Sequence, residues 1–282
     1  MSTHRHIRRR ESFDEVAELY DRARPGYPQR LIDDLVALTD LDKRCRVLEI
    51  GSGTGQLTVP LAERGLSVVA VELGSSLAEI ARRKLAPFEH AEVVVADFDE
   101  WVLPEVPFDL VVAATAFHWL DPVRRVQKCA EALHPGGALA IVETHWGVGH
   151  GDDLFLAESQ SCYARWDPDH DPAFRPPTLD ERPELRDDLA SSQRFAQILH
   201  MRYFCDREYG AAQYCDLLST FSNVLAFDEP TRRGFLACIA DLIESRFEGG
   251  IVRHDLYDLW LARTSARPES RRARGSESPV AD

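Results

Sequence analysis

The sequence has no apolar stretch near the roughly 18 residues that a membrane-crossing helix needs, so neither a membrane span nor a membrane partner is expected. It has no internal repeat. Its six cysteines, Cys45, Cys129, Cys162, Cys205, Cys215 and Cys238, never stand as Cys-x-x-Cys, so zinc and redox readings both lack their spacing. The expectation is a set of reduced thiols in a cytoplasmic protein. Positive charge is also short. Against 47 Asp and Glu stand 33 Lys and Arg, a net charge of −14 with histidine neutral. Such a surface repels phosphate backbones, so a nucleic-acid partner is not expected. The opening His4-Arg5-His6-Ile7-Arg8-Arg9-Arg10 lacks the apolar run of a secretory leader and reads as a flexible basic arm over 1–11.

What remains is an ordinary globular composition: 282 residues, 44% hydrophobic and 28% charged, enough for one large or two modest domains. One run organises it, Val47-Leu48-Glu49-Ile50-Gly51-Ser52-Gly53-Thr54-Gly55-Gln56. An apolar strand enters three glycines at alternate positions, and a helical pattern follows. A chain that leaves a buried strand and turns sharply into a helix visits backbone angles that glycine tolerates cheaply. Absent side chains let a ligand lie on the backbone, and a helix start offers unpaired N–H groups. A glycine-rich loop alone is a weak signal, since tight turns also collect glycine.

Around this run, strand and helix patterns alternate. Ser12, with Glu15 three residues on, reads as a capping box for a first helix carrying Phe13, Val16, Ala17, Leu19 and Tyr20. Pro25-Gly26-Tyr27-Pro28 breaks the chain before a helix over Gln29 to Leu38. Strands fit 46–50, 67–72, 91–96, 110–114 and 138–143, each short and apolar as in a parallel sheet buried on both faces. Helices fit 55–64, 75–85 and 123–133, with Ser75 or Ser76 capping the second and Asp121 the third. Pro60 predicts a kink in the first of these, or a later start. The order implies an α/β fold: a Rossmann-like, seven-stranded, mostly parallel sheet with helices on both faces. The expected division is a cofactor-binding core with N-terminal helical lid over 12–143 and a substrate-side insertion over 144–228. A C-terminal helix and last strand over 229–263 complete the core, before a disordered tail over 264–282. The stretch 144–195, with Trp166-Asp167-Pro168-Asp169-His170-Asp171-Pro172 and Pro176-Pro177, reads as irregular chain above the sheet. Strand Ile198–Phe204, helices 210–218 and 229–248 and a last strand 251–262 follow.

Ligands of such sheets sit beyond the carboxyl ends of the strands. Four strand ends bear on one ligand. The glycine loop is the first. Glu72, 21 positions after Gly51, stands near the spacing at which an acid accepts from a ribose diol. Asp97-Phe98 offers a carboxylate for an amino group and a ring beside it, or else a helix cap. Thr115-Ala116-Phe117-His118-Trp119 closes the fourth strand. A nicotinamide dinucleotide is the rival ligand, and a nicotinamide-dependent oxidoreductase the rival function. Against it, the dinucleotide loop spaces its glycines G-x-G-x-x-G, whereas here the third comes one residue early and Gln56 follows. Glu49 also sits where a carboxylate faces a cationic or amino-bearing ligand, not a pyrophosphate.

Residues 13 to about 143 resemble the class I S-adenosylmethionine-dependent methyltransferases of the type 11 group. The match rests on Glu49 to Gln56, Glu72, Asp97 and the turn Leu133-His134-Pro135-Gly136-Gly137. The runs Ala113 to Asp121 and Tyr20 to Pro28 resemble the subgroup of trans-aconitate methyltransferase-like enzymes. The resemblance implies S-adenosyl-L-methionine as cofactor and a small-molecule acceptor, methylated on a hydroxyl or carboxylate oxygen. It puts the methionine portion against Gly51, Ser52, Gly53, Gly55 and Gln56, with Glu49 near its amino group. Glu72 takes the ribose, Leu73 flanks the adenine, Asp97 and Phe98 hold it, and Thr115, Ala116 and His118 line the far side. Tyr20 and Arg24 come from the lid to the carboxylate end, although Arg24 could equally form a surface pair with Asp21 or Asp14.

His118 is the candidate general base, with a hydrogen-bonded loop histidine as its structural alternative. His145 is a second candidate base, and Trp119, His145 and Trp146 are candidate acceptor contacts. A carboxylate acceptor needs no base, and Arg165 or Arg175 could hold it. No metal is expected, Asp167, Asp169, His170 and Asp171 reading as a solvated loop. A non-catalytic cofactor-binding regulator stays open, as does a monomer or a homodimer.

Overall fold

The computed structural model describes residues 12–148, 153–173, 181, 183 and 185–264. The basic arm, Arg175, Pro176-Pro177 and the tail from 265 onward lie outside the described residues. A 3-10 turn, Asp14–Val16, leads into α1, Ala17–Ala23, and then α2, Gln29–Leu38. The sheet region follows as β1 (Arg46–Ile50), α3 (Thr58–Glu63), β2 (Ser67–Glu72), α4 (Ser75–Leu85), β3 (Ala91–Val95) and β4 (Phe108–Ala114). After a 3-10 turn at Phe117–Trp119 come α5 (Arg125–Ala132) and β5 (Leu133–Trp146). The remainder is α6 (Leu154–Trp166), α7 (Asp187–Ala190), β6 (Phe195–Gly210), α8 (Ala211–Leu218), α9 (Ser222–Leu225), α10 (Glu229–Arg246) and β7 (Gly250–Thr264).

The seven strands lie in the order β3-β2-β1-β4-β5-β7-β6. β1 to β5 pair in parallel, and β7 runs antiparallel between β5 and β6. The chain enters at β1, steps outward to β3 and returns beside β1 as β4. Strand order therefore reverses between β1 and β4, and a crevice opens beyond their carboxyl ends. Leu31, Ile32 and Leu35 of α2 pack on one face of the sheet with Val47, Val112 and Ala140. Phe117, Cys129 and Ala132 cover the other with Leu48, Val111 and Ile141. A third cluster, built from α6, α8, α9 and α10 around Phe235 and Ile239, forms a cap at the β5–β7 end.

The expected capping box does not form, because α1 starts at Ala17 with no side-chain cap. Asp14 instead caps α4. Its Oδ1 accepts from Ser76 N–H at 2.7 Å and Leu77 N–H at 3.1 Å, so neither Ser75 nor Ser76 serves. The N-terminal segment is thereby tied to the helix that follows Glu72. Asp14→Ala is expected to lower stability by about 1 kcal/mol in urea denaturation, the usual worth of a cap. Helix α3 starts at Thr58, three residues late, which puts Pro60 in its first turn where no N–H partner is needed. Helix α5 starts at Arg125. The Asp121 carboxylate is spent earlier, accepting from Val123 N–H at 2.9 Å.

The stretch from 144 is more regular than its composition suggests. β5 continues to Trp146 and a 13-residue helix runs over Leu154–Trp166. Nor are all the thiols reduced. Cys162 of α6 and Cys238 of α10 form a disulfide, Cα atoms 5.8 Å apart, 76 residues apart in sequence where no short motif could show it. The same two helices meet closely at Gly234, where an added Cβ would lie 2.3 Å from the Trp166 ring. No described helix is long and apolar enough to cross a membrane.

Candidate active site

A cavity of about 360 Å³ lies over the carboxyl ends of β1 to β4, a volume suited to one small molecule. Its floor is the glycine loop. Gly51 has φ +69°, its N–H donates to Val71 O at 2.8 Å, and a Cβ there would stand 2.6 Å from Ala116 Cβ. Gly53 has φ +57°, and a Cβ would meet Tyr20 and Gln56 at 3.3 Å. Both positions need a missing side chain as well as a left-handed backbone.

Glu72 governs the loop. It is 7% exposed, and its carboxylate accepts from Gly53 N–H at 2.7 Å and Gly74 N–H at 2.9 Å. Burial pushes its carboxyl above the ordinary range, while the backbone N–H groups of Gly74, Gly53 and Leu73 pull it back. Glu72, Leu73, Asp97 and Phe98 all line the cavity. Asp97 Oδ1 accepts from Asp99 N–H at 3.0 Å, and Phe98 is 4% exposed under the Lys128 ammonium.

Glu49 stands behind the loop. It is 2% exposed, accepts from the Thr58 hydroxyl at 2.7 Å, and lines a smaller hollow of about 30 Å³ with Tyr20, Arg24, Tyr27, Gly51, Ser52 and Gln56. Burial drives its carboxyl up to about 8, the Thr58 hydroxyl opposes this, and the Glu72 charge adds to it. The Ser52 hydroxyl, also in this hollow, is buried with no hydrogen-bond partner among the described residues. A buried polar atom left unpaired costs free energy, so it suits a polar ligand group.

Arg24 ends α1 and lines both hollows. Its Nε and Nη2 donate to Thr220 Oγ1 and O, each at 2.8 Å. The expected surface pairs are absent among the described residues. Asp21 pairs with Lys84 at 2.7 Å, and Asp14 serves α4. Thr115, at the end of β4, holds φ +57°, which is costly for a β-branched residue. Its hydroxyl is fixed by Tyr27 Oη at 3.1 Å and Thr144 Oγ1 at 2.8 Å. Ala116, His118 and Trp119 line the cavity as well, with the His118 side chain exposed at the rim.

Three expected residues lie elsewhere. Thr144 and Trp146 face the cavity, so strand alternation turns His145 to the opposite face of β5. There its Nε2 sits 3.0 Å from Asp258 Oδ2, in a group completed by His200 and Arg202. Burial alone would raise the Asp258 carboxyl, but hydrogen bonds from His145, Arg202 and His200 hold it well below the usual range. Gly55 likewise lines neither hollow; a Cβ on it would meet Val59 and Ala81, so it serves the packing of α3 on α4. Arg165 stacks on Trp166 at 5.2 Å and does not line the cavity. Asp167 and Asp171 accept from the backbone of Asp169 and Ala173.

Sequence reasoning missed Phe13, Leu77 and Leu120, which join the cavity wall from the N-terminal segment, α4 and the turn after Trp119. It also missed Phe221, Ser222 and Asn223, which enter from the cap. Phe13 was visible as an apolar helix position. The cap residues carry no motif, and only tertiary folding brings them here.

The family model described as a methyltransferase domain matches residues 47–137. That match covers about a third of the chain. An uncharacterized methyltransferase of Mycobacterium tuberculosis is 37% identical over 131 residues, 46% of this chain and 51% of that protein. A malonyl-[acyl-carrier protein] O-methyltransferase of Enterobacter lignolyticus is 33% identical over 133 residues, 45% of this chain and 52% of that one. The chain thus spans about half the length of these curated relatives. Among solved structures, a phosphoethanolamine N-methyltransferase of Haemonchus contortus shares the fold, with TM-score 0.52 and 15% identity over 90% of this chain and 58% of that one. That structure holds phosphomonomethylethanolamine and S-adenosylhomocysteine. The matched segment contains the glycine loop, Glu72, Asp97, Thr115 and His118. The N-terminal helices and the cap lie outside the matched segment.

Proposed function

We propose that the protein is an S-adenosylmethionine-dependent methyltransferase acting on an oxygen of a small-molecule acceptor. The observation that carries this reading is the buried carboxylate of Glu72, held between two loop N–H groups and open to the cavity. Such an acceptor-only group suits a vicinal diol. Asp97 suits an exocyclic amino group, and Phe98, Leu73, Leu77 and Leu120 supply apolar walls for a flat base. Glu49, the orphaned Ser52 hydroxyl, Tyr20 and Arg24 surround the loop with groups fit for an amino acid's ammonium and carboxylate. The donor set therefore fits the cofactor along its whole length.

When bound, the cofactor's sulfonium supplies an already activated methyl group. The chain's own task is alignment and exclusion of water. Phe13, Trp119, Trp146 and Phe221 close the acceptor side with aromatic surface. A carboxylate acceptor needs no base. A hydroxyl acceptor needs one, and His118, which lines the cavity and is exposed, is the base this reading assigns. Calorimetric titration with S-adenosylhomocysteine tests the reading, with a micromolar dissociation constant and one site expected. No binding up to millimolar concentration overturns it.

A further inference from the structure

The cap side of the cavity holds a cluster of rings around one cation. The Arg24 guanidinium carbon lies 5.1 Å from the Tyr20 ring centre, 5.3 Å from Trp146 and 4.5 Å from Phe221. All three rings line the cavity, as does Arg24. Aromatic faces disposed at this range around a point are what attract an ammonium group. In this protein the seat is taken by the chain itself.

The occupant is fixed. Thr220 is fully buried, gives its hydroxyl proton to Leu217 O at 2.6 Å and accepts Arg24 Nε on the same oxygen. Its carbonyl takes Nη2. Trp146 is braced from another side by Arg253, whose guanidinium lies 4.9 Å from the indole and pairs with Asp255 at 2.7 Å. Among the described residues Arg24 has no carboxylate partner, and Nη1 has no hydrogen-bond partner. Glu72 and Asp97 line the cavity from the ends of β2 and β3, and Glu49 shares the smaller hollow with Arg24, Tyr20 and Trp146, but none of the three pairs with Arg24.

We infer that Arg24 is a specificity-determining plug: by filling the aromatic box it denies the acceptor site to amines and ammonium compounds and leaves it to oxygen acids. An ammonium acceptor entering from the cap would meet a fixed positive charge where the rings would otherwise receive it. A carboxylate or phenolate meets a cation with an unspent donor edge. The inference rests on the methyltransferase reading for the word acceptor. The exclusion itself belongs to the cavity, and holds even where a cofactor carboxylate takes Nη1, since the guanidinium still occupies the box.

A matched pair of probes tests it. Phenylacetate and phenethylamine, protonated at pH 7, are titrated calorimetrically into the full chain, both alone and saturated with S-adenosylhomocysteine. Phenylacetate is expected to bind at least tenfold more tightly to the cofactor-free chain, and to remain the tighter ligand by a smaller margin where the cofactor's carboxylate takes Arg24 Nη1. Arg24→Met empties the box while keeping length, and is expected to gain at least tenfold for phenethylamine and reverse the order. Arg24→Lys keeps a cation in the box and is expected to preserve the wild-type order. Equal or tighter binding of phenethylamine by the wild type overturns the inference, as does an unchanged order in a folded Arg24→Met protein. Should Arg24→Met not fold, loss of the wild-type order in Arg24→Lys overturns it and retention supports it. Failure of S-adenosylhomocysteine to bind removes the methyltransferase reading alone, because the cofactor-free titrations still decide the plug.

Discussion

Glu72→Gln is expected to weaken S-adenosylhomocysteine binding about a hundredfold or more while the protein stays folded. The carboxylate accepts from Gly53 N–H and Gly74 N–H and also faces the cavity. Hydrogen bonds to a charged acceptor are worth about 1.5–3 kcal/mol each, so losing two to a diol gives an effect of this size. The amide adds a second fault. One of its ends is a donor, which must face either a loop N–H or the ligand hydroxyls, so the loop loses an anchor at the place where Gly53 is left-handed. Stability should change by only about 1 kcal/mol. The unsatisfied N–H costs free energy, but removing a carboxylate that burial already penalises returns some of it. Calorimetry for binding and thermal unfolding for stability separate the two. A near-wild-type affinity in the folded variant would show that Glu72 shapes the loop without touching the ligand.

The sheet could be read from the sequence because each of its central strands is short, apolar and followed by a turn whose chemistry is local. β1 and β2 start and stop where their residue pattern does. So does α2, bounded by Pro28 and an apolar face of Leu31, Ile32 and Leu35. The site was legible for the same reason: the parallel sheet sends every strand end to one edge, so Gly51, Glu72, Asp97 and Thr115 had to converge. What stayed hidden depends on contacts distant in sequence. Asp14 capping α4 spans 62 residues, and Arg24 on Thr220 spans 196. The side of β5 that His145 faces was also open, since it follows from where β5 lies on β7. The pairing of Cys162 with Cys238 belongs to the cap's tertiary packing and leaves no spacing to recognise.

Glu49 gives the second large effect, and it is one of pH. Its carboxyl rises from an ordinary 4.5 to about 8 in the folded protein, chiefly through burial, with the Glu72 charge in support and the Thr58 hydroxyl opposed. Tyr20, Arg24 and Tyr27 share its hollow. A folded-state value above the unfolded one means that the native protein holds this proton more tightly than the unfolded chain. The contribution is complete below about 4.5 and is lost as pH climbs through about 8, a loss on the order of 5 kcal/mol. Wild-type stability in urea should therefore fall across that interval, and Glu49→Gln, which cannot ionise, should flatten the fall. Ligand binding pulls the other way. An ammonium beside Glu49 favours the carboxylate, so S-adenosylhomocysteine should displace close to one proton at pH 6.5, with affinity rising as pH approaches 8. Titrations in two buffers of different ionisation heat read that proton directly. Glu49→Gln should abolish its release and remove the rise in affinity, whereas unchanged proton release in the variant would assign the proton to another group.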